Sequence, residues 1–217
     1  MATGKLKRIT LPDGTPLTFF NQRCAGWDHL YEYDGNGSTL ADAGCGIFAL
    51  CHCAEYLTGR VQDPVHWGDF ACTEGGRGDD GTDRPLLLHT LTARGENVGL
   101  GFRYEEDGLR NDTDTLFDLL YAGRAVALCN LRPGHIVALL AARIADGQKQ
   151  LLAVDSYAES ADPRVRDHVT AIVPGTEIGY DIRNAAGLTV GSAVSHGVYW
   201  VTAGTPRDFN LLYRLNS

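Results

Sequence analysis

The chain has 217 residues, 44% of them hydrophobic and 21% charged, the composition of an ordinary globular protein long enough for one domain with a sizeable core. A formal charge of -8 with no basic run argues against nucleic acid or an anionic membrane as partner, while leaving a basic peptide open. The opening MATGKLKRITLPDG lacks an apolar stretch long enough for a signal sequence, and no later run approaches a membrane span. The expected setting is therefore cytoplasmic, unless a leader has been removed, and the six cysteines, few for a disulfide scaffold, are expected to be reduced thiols.

Ile9 to Phe20 predicts a hairpin turning at Pro12-Asp13-Gly14-Thr15, with Leu17, Phe19 and Phe20 as strand residues. After Asn21-Gln22-Arg23 and Trp27, the Gly-, Asp- and Asn-rich stretch Tyr31 to Thr39 predicts a loop leading to Asp42-Ala43-Gly44-Cys45-Gly46. There Ile47, Phe48, Leu50, Cys51, Ala54 and Leu57 recur at helical intervals, and Gly59 stands where a helix needs a left-handed stop. Cys45 thus opens a buried helix of roughly four turns. The free N–H groups and macrodipole of that terminus favour a thiolate, and the flanking glycines leave the sulfur uncrowded. The competing reading is a small core cysteine.

Pro64 to Phe70 predicts a short helix, and Thr73 to Asp83 a surface-exposed, mobile loop without an apolar anchor that can border a substrate cleft. Its Arg77-Gly78-Asp79 is a cell-adhesion tripeptide only in the sense that any three residues recur by chance. Pro85 starts a helix through Leu91 to Gly95, and Asp112 or Thr113 caps another running to Gly123.

From Ala125 the apolar residues become continuous or alternating. Strands are expected at Ala125 to Cys129, His135 to Ile144, Gln150 to Asp155, Thr170 to Val173, Val198 to Thr202 and Asn210 to Leu215, with a hairpin at Ala145-Asp146-Gly147-Gln148. No linker or repeat divides the chain. The expectation is a single α+β unit, residues 1–217, with a helical part at about 20–123 and an antiparallel β part at about 124–217.

His135 opens an apolar strand behind Pro133-Gly134, which places it exposed at a sheet end and suits a general base. Asp155 ends the partner strand and can orient the imidazole. Register tests this pair. A plain two-residue turn pairing Ala145 with Gln148 would set His135 opposite Ala158, on the other face from Asp155, whereas a three-residue loop or a single bulge restores one face. An odd-length turn is therefore expected.

Gly44-Cys45-Gly46, Gly134-His135-Ile136-Val137 and Val154-Asp155-Ser156, in that order, resemble the papain-like cysteine peptidases, and most nearly their bacterial double-glycine, bacteriocin-processing-like branch. The resemblance spans roughly Phe19 to Tyr157 and extends to Gln22 with its following Trp27; it departs at Ile47, where many relatives carry proline. It implies a papain-like fold, with the nucleophile at a helix start packed on an antiparallel sheet, and a thiol-dependent hydrolase of peptide or amide bonds that needs no cofactor. Cys45 is then the nucleophile, His135 the base, Asp155 its orienter and Gln22 an oxyanion donor with the Cys45 N–H, and the partner is a peptide or protein substrate. The same set can run acyl transfer or glutamine deamidation, and a catalytically silent peptide-binding module is the reading from another class.

A metal site from Cys51, His52 and Cys53 with Cys24 or Cys72 lacks the paired two-residue spacing of structural zinc sites. His29, His66, His89 and His168 are read as surface or core histidines, and His196, before another apolar strand, is the rival base. Loops such as Thr73 to Asp83 and the irregular region from Glu159 to Arg183 are expected to line the sites flanking the scissile bond.

Overall fold

The N-terminal hairpin forms where its turn residues place it. In the computed structural model, which describes residues 6–106, 108–132, 134–157, 173, 178–183, 189–195 and 197–215, β1 (Leu6–Thr10) pairs with β2 (Pro16–Phe20). Leu17, Phe19 and Phe20 enter the core. A short α1 (Leu40–Ala43) follows, started by Thr39, whose backbone N–H and hydroxyl both donate to Asp42.

The central helix, α2 (Cys45–Thr58), begins directly after Gly44 and ends at Gly59 in the left-handed conformation. Gly46 through Glu55 are all buried, so the apolar run is enclosed on every side rather than along one stripe. Next come α3 (Pro64–Glu74), capped by Asp63, and a small hairpin of β3 (Arg77–Gly78) with β4 (Gly81–Thr82). Asp83 caps α4 (Arg84–Arg94), which stops at left-handed Gly95 before α5 (Glu96–Gly99) and β5 (Phe102–Arg103). The side chain of Asp112 accepts from the Thr115 N–H to cap α6 (Thr113–Tyr121).

The expected free loop at Thr73 to Asp83 is corrected. Its first residues finish α3, and the rest is held down by Arg77, only 6% exposed. The guanidinium lies 4.8 Å from the Tyr31 ring centroid; Nε donates to the Tyr31 carbonyl and Nη1 to those of Gly78 and Gly81. The anchor is a cation over an aromatic ring with satisfied carbonyls, not an apolar side chain. That burial also leaves Arg77-Gly78-Asp79 unable to present its arginine to an adhesion partner.

The remaining strands are β6 (Ala125–Arg132), β7 (His135–Ala145), β8 (Gln148–Val154), β9 (Ile178–Arg183), β10 (Thr189–Ser195), β11 (Val198–Thr202) and β12 (Arg207–Arg214). A six-stranded antiparallel sheet has the order β11-β8-β7-β6-β12-β5, so the helical part lends it an edge strand. Side chains such as Val126, Leu128, Ala138 and Val154 face the core around α2, while Ala127, Leu139, Ala153 and Tyr199 face a second cluster completed by α6. Burial on both faces explains why these strands read as continuous apolar runs.

The architecture is thus mixed helix and antiparallel sheet, α+β, as expected. Among the described residues no helix is long and apolar enough to cross a membrane. Within the stretch expected to be irregular, 178–183 form β9 and pair with β10. Of the strand expected at Thr170 to Val173 only Val173 is described, its N–H bonded to the Trp200 carbonyl; the rest lies outside the described residues, as do His168 and His196.

The odd-length turn is also corrected. Asp146 and Gly147 have φ of 49° and 74°, and Ala145 pairs with Gln148, a two-residue turn. Register shifts instead between Leu139 and Ala141, where a bulge inserts one residue into β7. Continued past Leu139 opposite Ala153, the shifted ladder sets His135 diagonal to Asp155 on one face. Tyr199, paired with Ala153 from the other side, shares it.

Candidate active site

Three segments converge on Cys45. The first turn of α2 carries the half-buried thiol, the start of β7 carries His135, and the residue after β8 carries Asp155. Asp155 is held from several directions. Its Oδ1 lies 2.7 Å from His135 Nε2 and accepts from the Tyr157 N–H at 2.8 Å, while Oδ2 accepts from the Tyr199 hydroxyl at 2.8 Å. Its own N–H donates to the Gly197 carbonyl. With Nε2 on Asp155, Nδ1 is the ring nitrogen left for the Cys45 sulfur, whose interaction with His135 shifts both groups.

His135 is 2% exposed, so its expected exposure at a sheet end is corrected. The Tyr157 ring covers it, with centroids 4.6 Å apart, and Arg23 in turn donates to the Tyr157 hydroxyl. Burial opposes a charged imidazole, but the Asp155 carboxylate, with the Cys45 sulfur, outweighs it and pushes the His135 pKa up to about 9. Burial likewise raises the Cys45 thiol. The hydrogen bond and charge of His135, with the N–H groups of Ile136 and Gly46, overcome that and bring it below its ordinary value. Burial would also raise Asp155, yet His135, the Tyr157 N–H and the Tyr199 hydroxyl hold it below the usual carboxylate range. All three shifts favour the same state, a thiolate beside an imidazolium beside a carboxylate.

Gln22 stands differently from expectation. It is fully buried, its Nε2 donates at 3.1 Å to both the Leu40 and Ala41 carbonyls, and its Oε1 accepts from the Ser156 hydroxyl at 2.9 Å. Its N–H bonds the Ser156 carbonyl as well. Both amide protons are committed, so Gln22 clasps the end of β2 to α1 and to the turn after Asp155 rather than offering a donor to an oxyanion.

A cavity of about 350 Å³ opens beside the sulfur, lined by Cys45, Ile136 and Gly134, by Thr82 and the hairpin tip, and by Asp208. Asp208 is fixed by Arg84 at 2.8 Å, by Arg110 and by Asn130. The segment expected to border the cleft does so, but as the ordered β3–β4 hairpin, and the sequence carries no sign of the tyrosines at Asp155. Tyr199 is a lone polar ring in an apolar strand, and only its long-range pairing brings it to the carboxylate.

The residues weighed for a metal are not gathered. Cys53 donates to the Ala127 carbonyl, His52 Nε2 accepts from the Phe20 N–H, and Cys24 and Cys72 donate to the carbonyls of Ala25 and Glu32. Among the described residues no three His, Cys, Asp or Glu side chains stand close enough to hold one ion.

Comparisons with protein-family models, with curated proteins and with solved structures give no match to this chain.

Proposed function

We propose that this chain is a thiol-dependent acyl-transfer enzyme of papain-like type, hydrolysing peptide or amide bonds of a peptide or protein substrate through a thioester on Cys45. The observation that carries this reading is buried His135 held at 2.7 Å by buried Asp155 beside the half-buried Cys45 sulfur, an arrangement that favours the proton on the imidazole. In this mechanism the thiolate attacks the substrate carbonyl carbon and the carbonyl electrons move onto oxygen, which the Cys45 N–H at the start of α2 can meet. His135 then gives its proton to the leaving amine as the C–N bond breaks. Water, losing a proton to His135, attacks the thioester carbonyl; collapse breaks the C–S bond, releases the acid and returns the Cys45 thiolate beside protonated His135. Asp155 remains ionised throughout and holds the ring in place.

Exposure to p-nitrophenyl acetate, with the acetyl group located by mass spectrometry, tests the reading. Acetyl on Cys45, absent from Cys45→Ala, is expected. Iodoacetamide alkylation of Cys45 without any acetylation there would leave a reactive thiol that is no acyl-transfer nucleophile.

A further inference from the structure

With both amide protons of Gln22 spent, the described side-chain donors to consider beside the sulfur are those of the cavity wall it shares. We propose that the Thr82 hydroxyl is the side-chain donor to the oxyanion, aligned by the buried phenol of Tyr31. The inference rests on the acyl-transfer reading above and assigns a further catalytic residue to the same site.

Thr82 lines the cavity with Cys45, and its side chain lies directly against Gly46, the residue after the nucleophile. A Cβ on Gly46 would fall 2.5 Å from Thr82 Cβ and 2.7 Å from its Oγ1, so only glycine lets the hydroxyl approach this turn of α2. Tyr31 is completely buried, and its hydroxyl lies 2.9 Å from Thr82 Oγ1. Among the described residues that oxygen is its sole hydrogen-bond partner. A fully buried O–H is costly to leave without an acceptor and the hydroxyl of half-buried Thr82 is not so enclosed, so Tyr31 donates and Thr82 accepts. The Thr82 proton then has no acceptor among the described residues and is free for the cavity. Burial raises the Tyr31 pKa, which keeps the phenol a donor even beside the thiolate. Arg77, opposite Thr82 in the β3–β4 pair and stacked on the Tyr31 ring, fixes both partners.

In acylation by p-nitrophenyl acetate the sulfur lone pair forms the C–S bond and the carbonyl π pair becomes an oxyanion, which Thr82 meets with the Cys45 N–H. Collapse breaks the C–O bond and releases p-nitrophenolate, leaving acetyl-Cys45, with the thiol proton still on His135. Iodoacetamide reacts at its methylene carbon, displaces iodide and forms no oxyanion. The two reagents therefore separate oxyanion donation from thiolate formation.

Thr82→Val, which keeps the packing on Gly46, is expected to slow acetylation of Cys45 by about a hundredfold. It should leave alkylation unchanged, and Thr82→Ser should restore acetylation. Tyr31→Phe should show a smaller selective loss, which also serves if Thr82→Val does not fold. Acetylation at the wild-type rate in Thr82→Val, or an equal fall in both reactions, would overturn the proposal. Wild-type protein that alkylates at Cys45 but never acetylates would overturn the acyl-transfer reading itself, and this inference with it.

Discussion

Cys45 and Cys51 lie on one helix, less than two turns apart, and their surroundings drive them in opposite directions. Burial raises both thiols. At Cys45 the imidazole and two N–H groups reverse it, whereas at Cys51 the carboxylates of Asp63 and Glu55 add to it and hold the thiol well above its ordinary value. Two buried histidines repeat the contrast. His52, 0% exposed, is pushed down to about 3 by burial, with Asp155 too weakly felt to reverse it; His135, 2% exposed, rises to about 9 against Asp155. Equal burial thus gives a neutral core histidine in one place and a charged one in the other. The partner at hydrogen-bond distance decides which.

Removing that partner should break the contrast most. In His135→Ala the rate of turnover of p-nitrophenyl acetate is expected to fall by about 10⁴-fold, with the circular dichroism spectrum retained. Retention of wild-type turnover would place the base elsewhere.

Asp155→Ala should act less severely. A hydrogen bond to a charged group contributes about 1.5–3 kcal/mol, so a loss of roughly ten- to a hundredfold in turnover is expected. The alkaline limb of the pH–rate profile, set near 9 by His135, should move to lower pH. Asp155→Asn should fall between, because the amide oxygen still accepts from Nε2. An unmoved alkaline limb in Asp155→Ala would separate Asp155 from the imidazole.

The two histidines also predict opposite stability responses. His135 has a folded value above its ordinary 6.5, so its contribution is complete below about pH 6.5 and is lost as pH rises through about 9. His52 has a folded value below it, so its contribution is complete above about 6.5 and is lost as pH falls toward 3. Urea unfolding across pH 4 to 7 should therefore be steeper in pH for wild type than for His52→Gln, and coincident slopes would contradict a neutral buried His52. The smallest effect is expected from Tyr199→Phe, which removes one hydroxyl from Asp155 Oδ2. Turnover should drop by roughly three- to tenfold, in line with about 0.5–1.5 kcal/mol for such a bond, and no change would make that hydrogen bond incidental.

Much of this was legible where the signals are local. Gly59, Gly95 and Asp112 end or begin helices through their own backbone conformation or side chain, and Asp146-Gly147 fixes its turn the same way. Cys45, His135 and Asp155 each stand at an element boundary marked by glycine or a change of period. The bulge at Leu139 to Ala141 carried no such mark, because β7 is apolar on both faces and an inserted residue does not interrupt its pattern. The β3–β4 hairpin was invisible because its anchor joins Arg77 to a tyrosine far back in the chain. Gln22 was found as a residue that matters, but its role depends on Leu40, Ala41 and Ser156, which only the assembled fold brings to it.

The central claim is that His135 makes Cys45 a thiolate where burial alone would not, and the pH dependence of iodoacetamide alkylation, resolved cysteine by cysteine by mass spectrometry, measures this directly. In wild type the Cys45 rate should reach its plateau below the ordinary thiol range, with Cys51 and Cys53 unreactive in the folded protein. In His135→Ala the Cys45 curve should move above that range, because burial remains and the imidazolium does not. Superimposable Cys45 curves in the two proteins, or equal rates at Cys45 and Cys51, would contradict the account.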